Sequence, residues 1–227
     1  MISQEARDLF AANVKAMTAG DAAHLASQLL PDDVSRLKDI AYVHDGDAAH
    51  LLDIYTLADA EEGAALPVIV DFHGGGLYYG NKENNECRDM LLARQGFAVV
   101  NANYRLVPSV SFPAQLADAM AVLDWIRDHG AEYGLDAERV CVTGDSAGGA
   151  LTMLTLAIEN SAEAAAAFGI DEPSGIGFAG AAPVCGVYSL ASKQTADEAG
   201  LGSTAFSPDT RIALDEALGT EFFADLE

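Results

Sequence analysis

The fold is decided by the stretch VCVTGDSAGGAL at residues 140–151. Its first residues have the composition of a buried β-strand, and its last residues begin a helix after a glycine-rich turn. Ser146 stands at the turn between Gly144 and Gly148, in the pattern G-x-S-x-G. A serine at a sharp strand-to-helix turn is held out at the end of a sheet, as a nucleophile must be. The alternative is that Ser146 is only a helix N-cap.

A second motif, FHGGGL at residues 72–77, directly follows an apolar run at residues 66–72. Successive glycines leave backbone amides free to turn toward a ligand, which suits an oxyanion hole for a tetrahedral intermediate. A helix N-cap at Ser146 does not explain this loop. The two motifs together therefore favour nucleophilic chemistry.

The rest of the chain alternates strand-like and helix-like segments. Strands are predicted at residues 40–43, 51–57, 66–72, 97–102, 139–143 and 177–184, and helices at 1–30, 82–95, 113–129 and 148–160. The loop between the first two strands carries Asp45-Gly46, which predicts an antiparallel hairpin. The later alternation predicts a doubly wound, mostly parallel α/β sheet with helices on both faces. We see no linker or repeat, so residues 1–227 are predicted to form a single domain.

Composition limits the partners of this chain. The 227 residues are 50% hydrophobic and carry a formal net charge of −23, which disfavours nucleic acid and anionic membranes. The N-terminus lacks a signal-peptide pattern and no apolar run is long enough to span a bilayer, so we expect a cytoplasmic protein. The cysteines are odd in number and widely spaced, which favours core packing over disulfides. No metal-ligand spacing is present.

The two motifs, with YRLVP at residues 104–108 and FPA at residues 112–114 between them, resemble the hormone-sensitive-lipase-like branch of the α/β-hydrolase fold. The resemblance covers residues 66–156. It implies a carboxylic ester hydrolase that forms an acyl-enzyme on Ser146, acts on small-molecule esters with short acyl chains, and needs no metal or organic cofactor. By the same resemblance, the amides of Gly74, Gly75 and Ala147 form the oxyanion hole.

Four neighbouring side chains need separate interpretation. The resemblance implies that His73 supports the glycine loop, because the base follows the serine in this fold. Asp145 is expected to support the turn or face solvent rather than act as the triad acid. Tyr78 and Tyr79 follow the glycine loop and are predicted to line a substrate pocket, with packing under the loop as the alternative.

The chain departs from this family in one respect. All five histidines precede Ser146, whereas the family places its acid and histidine after the seventh and eighth strands. We therefore expect the C-terminal strands of the fold to be missing. Residues 192–227 are predicted to form a cap or an excursion from the sheet after the sixth strand. The 227-residue chain alone is expected to have little activity. The exposed sixth strand would favour homo-oligomers. A processed fragment, a second chain that supplies the base, and a pseudoenzyme remain alternatives.

The sequence is also compatible with two other functions. The first is a ligand-binding protein, as in the plant gibberellin receptor, which resembles these esterases but lacks the catalytic histidine. The second is a peptidase or amidase built on the same fold. The first would bind esters without hydrolysing them, and the second would cleave amides.

Overall fold

The computed structural model describes residues 2–61, 63–186 and Glu216. Within these residues, one six-stranded sheet is flanked by five α-helices. The strands are β1 (Val34–Ala41), β2 (Leu51–Leu57), β3 (Leu66–Phe72), β4 (Ala98–Ala102), β5 (Leu135–Asp145) and β6 (Phe178–Val184). The helices are α1 (Gln4–Ser27), α2 (Glu86–Ala93), α3 (Phe112–His129), α4 (Ala147–Asn160) and α5 (Ala162–Ala167). Short 3₁₀ turns cover Ala48–His50, Lys82–Asn85 and Gly130–Tyr133.

The strand order is β1-β2-β4-β3-β5-β6. The predicted hairpin is present, since β1 and β2 pair antiparallel, and β2 also pairs antiparallel with β4. The strands β4, β3, β5 and β6 are parallel. The carboxyl ends of β3 and β5 therefore meet at one edge, where Phe72 pairs with Gly144. The predicted doubly wound sheet with an antiparallel entry is confirmed.

Helices cover both faces of the sheet because its central strands are apolar on both sides. All five residues of β4 are buried. Val99 packs with Met90 and Ala93 of α2 in a small cluster. Its neighbours Ala98 and Val100 point the other way, into a larger cluster with apolar residues of α1, α3 and α4. Side chains that alternate along a strand in this way require apolar partners on both faces.

Several element boundaries differ from the predicted ones, among them the start of β5, which is Leu135 rather than residue 139. Strand β1 begins at Val34 rather than Ile40, and its pairing with β2 shifts between Leu37 and Ile40. Charged residues on an edge strand and a register shift both obscure the two-residue period that marks a strand. The helix predicted at residues 82–95 begins as a 3₁₀ turn, in which the Asn84 side chain accepts from the Asn81 amide at 3.0 Å.

Two predictions concern the ends of the chain, at residues 1–30 and 192–227. The helical segment predicted at residues 1–30 is one helix, α1, which ends at Ser27, and Ser3 caps it. The predicted excursion at residues 192–227 lies outside the described residues except for Glu216. The Glu216 carboxylate accepts from the Ser3 amide at 2.6 Å and from its hydroxyl at 2.7 Å. None of the helices in the described ranges is long and apolar enough to cross a bilayer.

Candidate active site

Ser146 lies between β5, which ends at Asp145, and α4, which begins at Ala147. Its backbone has φ 53° and ψ −113°, a conformation that a residue with a side chain rarely adopts. The Ser146 amide donates to Val184 of β6 at 2.8 Å, and its carbonyl accepts from Ala150 at 3.1 Å. These hydrogen bonds hold the strained turn, so the strand and helix predicted around Ser146 are both present.

Gly148 allows α4 to approach the end of β3. A Cβ atom at Gly148 would lie 1.8 Å from the carbonyl oxygen of Phe72, which is backbone and cannot move aside as a side chain could. The first turn of α4 therefore contacts the point where the glycine loop begins. No residue other than glycine fits this position without a shift of one of the two elements.

The glycine loop follows β3 without a gap and packs against the Ser146 turn. Gly75 has φ 120°, and its carbonyl accepts from the Tyr79 amide at 3.0 Å. A Cβ atom at Gly74 would lie 2.4 Å from Oδ2 of Asp145, so this part of the loop touches the residue before the serine. The structure thus brings together the two motifs that the sequence pairs. Ala147 is the first residue of α4, where an amide has no partner within the helix.

His73 is buried inside the glycine loop. Its Nδ1 lies 2.7 Å from the carbonyl oxygen of Gly74, and its ring stacks on Tyr104 with centroids 4.3 Å apart. The Tyr104 hydroxyl donates to the His73 carbonyl at 2.7 Å. Burial lowers the pKa of His73 to about 4, so the ring is neutral at pH 7. These contacts fit support of the loop, and a proton on Nδ1 would serve as the donor to Gly74.

We expect His73 to make the folded state less stable as the pH falls from 6.5 to 4. The unfolded chain binds a proton at a pKa of about 6.5, whereas the folded pKa of His73 is about 4. In this window only the unfolded state is protonated, so the folded state loses up to about 3 kcal/mol. Because other groups also titrate, the measurement compares urea unfolding of the wild type and His73→Asn across pH. A difference between them that stays constant from pH 7 to 4 would disprove the effect.

Tyr78 and Tyr79 contact α1 with their hydroxyl groups. The Tyr78 ring lies 4.9 Å from that of Phe10, and its hydroxyl accepts from Asn13 at 3.5 Å. The Tyr79 hydroxyl donates to Asp21 at 2.8 Å. Both tyrosines therefore join the glycine loop to the first helix. Their contact with substrate stays a prediction.

Asp145 accepts hydrogen bonds from two residues that sequence reasoning missed. Asn85 donates to it at 3.0 Å and Arg88 at 3.3 Å, and both also contact Asp71. Asp71 is the residue in the sequence that indicates such contacts, because an acidic side chain in an otherwise apolar strand requires a buried partner. The sequence does not show which residue that partner is.

A cavity of about 400 Å³ lies at the opposite end of the sheet. Leu66 and Leu135, at the beginnings of β3 and β5, line it together with Glu132 and Tyr133. Ser146 lies where those parallel strands end. This cavity is therefore separate from the candidate active site.

The chain is similar to esterases in sequence. The BD-FAE family model matches residues 52–190. Esterase LipI of Mycobacterium tuberculosis is 37% identical over 100 residues, which cover 43% of this chain and 31% of LipI. The probable carboxylic ester hydrolase LipM of the same organism is 32% identical over 163 residues, which cover 68% of this chain and 37% of LipM. The chain thus spans about a third of the length of these two relatives.

The chain is also similar in three dimensions to an esterase of known structure. Esterase B from Lactobacillus rhamnosis is 31% identical and superposes with a TM-score of 0.84, covering 96% of this chain and 69% of that one. The predicted resemblance to esterases of the α/β-hydrolase fold is confirmed. The chain belongs to the BD-FAE family and has the α/β-hydrolase fold.

Proposed function

We propose that this chain carries the nucleophile and the oxyanion hole of a carboxylic ester hydrolase that acts on short-chain acyl esters through a serine acyl-enzyme. The observation that carries the proposal is the strained conformation of Ser146, with φ 53°, at a strand-to-helix turn packed against a glycine loop. A plain helix N-cap has extended backbone angles and requires no such loop. Residues with strained backbone angles cluster at active sites, which supports a functional role for Ser146.

The proposed reaction has two steps. In the first, Oγ of Ser146 attacks the ester carbonyl carbon, and the amides of Gly74, Gly75 and Ala147 hydrogen-bond the oxygen that becomes negative. The N-terminus of α4 adds the positive end of its dipole. The C–O bond to the alcohol then breaks, the alcohol leaves with the serine proton, and an acyl-enzyme remains. In the second step, water attacks the acyl-enzyme and releases the carboxylic acid.

The proposed mechanism needs a base that takes the serine proton and returns it to the alcohol. His73 does not fit, because its Nδ1 faces the Gly74 carbonyl and its Nε2 is buried with no partner among the described residues. His50 lies between Asp45 and Asp118, with both ring nitrogens occupied. We propose that the base is a histidine that follows residue 227 in the full-length protein. The three catalytic residues would then occur along the chain in the order Ser, acid, His.

The relatives support the choice of an ester as substrate. LipI and LipM are named as an esterase and a probable carboxylic ester hydrolase. Esterase B has been solved in a form inhibited by a tributyrin phosphonate. Tributyrin is an ester of glycerol with butyryl groups, so this inhibitor supports a short-chain preference in the present chain. The net charge of −23 also favours neutral substrates over acidic ones.

We expect the protein at its full natural length to hydrolyse p-nitrophenyl acetate and butyrate with kcat/KM at least about 10-fold higher than for the decanoate. Each methylene that a pocket cannot accommodate loses about 1 kcal/mol of binding or adds strain. Initial rates over the chain-length series measure this preference, and p-nitroanilides of the same acids serve as the amide control. Esters that bind without turnover would support the ligand-binding alternative. Faster cleavage of the anilides would support an amidase.

A further inference from the structure

Two side chains on the segment after the glycine loop bridge carboxylates from two different strands. Nδ2 of Asn85 donates to Asp71 Oδ2 at 2.8 Å and to Asp145 Oδ1 at 3.0 Å. Arg88 repeats the bridge, since its Nη1 lies 3.3 Å from Asp145 Oδ1 and its Nη2 contacts Asp71 Oδ1. Asn85 ends the 3₁₀ turn and Arg88 lies in the first turn of α2. The same two acids are thus joined twice.

The two acids stand directly before the two halves of the candidate active site. Asp71 is in β3, just before Phe72 and the glycine loop, and Asp145 immediately precedes Ser146. The other carboxylate oxygen of Asp145 lies against Gly74. The bridge therefore connects the base of the predicted oxyanion hole to the nucleophile turn.

The bridge is buried at Asp71, where water cannot easily replace its hydrogen bonds, and partly exposed at Asp145. Asp71 is fully buried, whereas the Arg88 and Asp145 side chains are each 36% exposed. Arg88 also contacts buried Asp89 at 3.5 Å, so one guanidinium faces three carboxylates. Burial raises the pKa of Asp71 and of Asp89, and the guanidinium opposes this rise. Loss of Arg88 would leave the carboxylates without their cation in a water-poor site.

We infer that Arg88 and Asn85 are positioning residues that fix the Ser146 turn relative to the oxyanion loop by joining Asp145 to Asp71. The inference rests on the proposed function of Ser146. Neither residue needs to touch substrate for this role. Catalysis depends steeply on such placement, because an error of about 1 Å can lower the rate by about 100-fold. The two bridging residues thus extend the candidate active site to α2.

The test is Arg88→Gln in the full-length protein, with Arg94→Gln as the matched control. Arg94 also pairs with an aspartate, Asp33 at 3.0 Å, but both side chains are about half exposed and neither belongs to the bridge. We expect Arg88→Gln to lower kcat on p-nitrophenyl butyrate by about 10- to 100-fold while KM changes less than about 3-fold. The rate constant for labelling of Ser146 by a fluorophosphonate should fall by a similar factor. Arg94→Gln should leave both rates unchanged.

A double-variant cycle separates positioning from general destabilisation. If Arg88 acts through Asp145, then Arg88→Gln combined with Asp145→Asn should lose no more kcat than the more damaging single variant. If Arg88→Gln does not fold, Asn85→Ala provides the same comparison with the guanidinium still present. Folded variants that keep wild-type kcat and labelling rates would overturn the inference. If Ser146→Ala retains activity, the proposed function itself fails, which is a distinguishable result.

Discussion

Replacement of Ser146 by alanine is expected to lower kcat for ester hydrolysis by about 10⁵-fold or more in the full-length protein. In a serine hydrolase of unrelated fold that uses the same type of mechanism, loss of the nucleophile lowers kcat by about 10⁶-fold, because the remaining oxyanion hole cannot supply the covalent step. Ser146 is held at the turn through its backbone, by the hydrogen bonds to Val184 and Ala150. Removal of the hydroxyl alone should therefore leave the fold intact. Initial rates on p-nitrophenyl butyrate, with covalent labelling by a fluorophosphonate, measure the effect.

The control for this experiment is Ser27→Ala. Ser27 is exposed at the end of α1, and its hydroxyl donates only locally, to the carbonyl of His24 at 2.6 Å. This variant should keep wild-type rates and labelling. Full activity of Ser146→Ala would contradict the nucleophile assignment. An inactive wild type that binds esters would instead support a ligand-binding protein.

Substitution of Gly148 by alanine is expected to destabilise the fold by about 3 kcal/mol or more. The new methyl group would meet the Phe72 carbonyl oxygen at 1.8 Å, so α4 or the end of β3 must move. Overpacking against side chains typically costs about 1–3 kcal/mol, and backbone relaxes less readily than side chains. For a chain of this size, that loss lowers the midpoint of thermal unfolding by about 6–12 °C. Calorimetry would measure it, and turnover at a temperature where the variant is folded should fall as well.

The matched substitution is Gly20→Ala. Gly20 lies within α1, and a Cβ atom there would have no atom within 4 Å. Alanine is the better helix former, so this variant should gain about 0.5–1 kcal/mol. Equal stability of the two variants would show that the contact between α4 and β3 is looser than the structure indicates.

The sequence was sufficient to predict the parts of the structure that depend on local pattern. The turn at Ser146 and the loop at Gly74 and Gly75 are each formed by consecutive residues. Because β3 and β5 are parallel, their carboxyl ends lie side by side and bring the two motifs together. The apolar strands and the amphipathic helices between them could be predicted from the sequence in the same way. These features are local because each follows from the spacing of residues within one element.

The contacts between distant segments could not be predicted. Arg88 is 57 residues from Asp145, and no spacing rule marks the pair. The hydroxyl of Tyr79 reaches Asp21 across 58 residues, which a single sequence does not reveal. Such pairings depend on how the elements pack in three dimensions. The buried acids indicate only that a partner must exist.

The packing of α1 on the two tyrosines has a consequence for protein engineering. Phe10 is buried against Tyr78, and the Asp21 carboxylate accepts from both Tyr79 and Asn84, so these positions set the register of the helix over the glycine loop. Most of the other side chains of α1 are exposed. A mutant library confined to the inner face of the first helix would reshape the surroundings of the glycine loop and leave every residue of the β5–α4 turn unchanged. Substitutions within residues 4–27 would therefore test the predicted contact of Tyr78 and Tyr79 with substrate, while the sequence of the Ser146 turn stays the same.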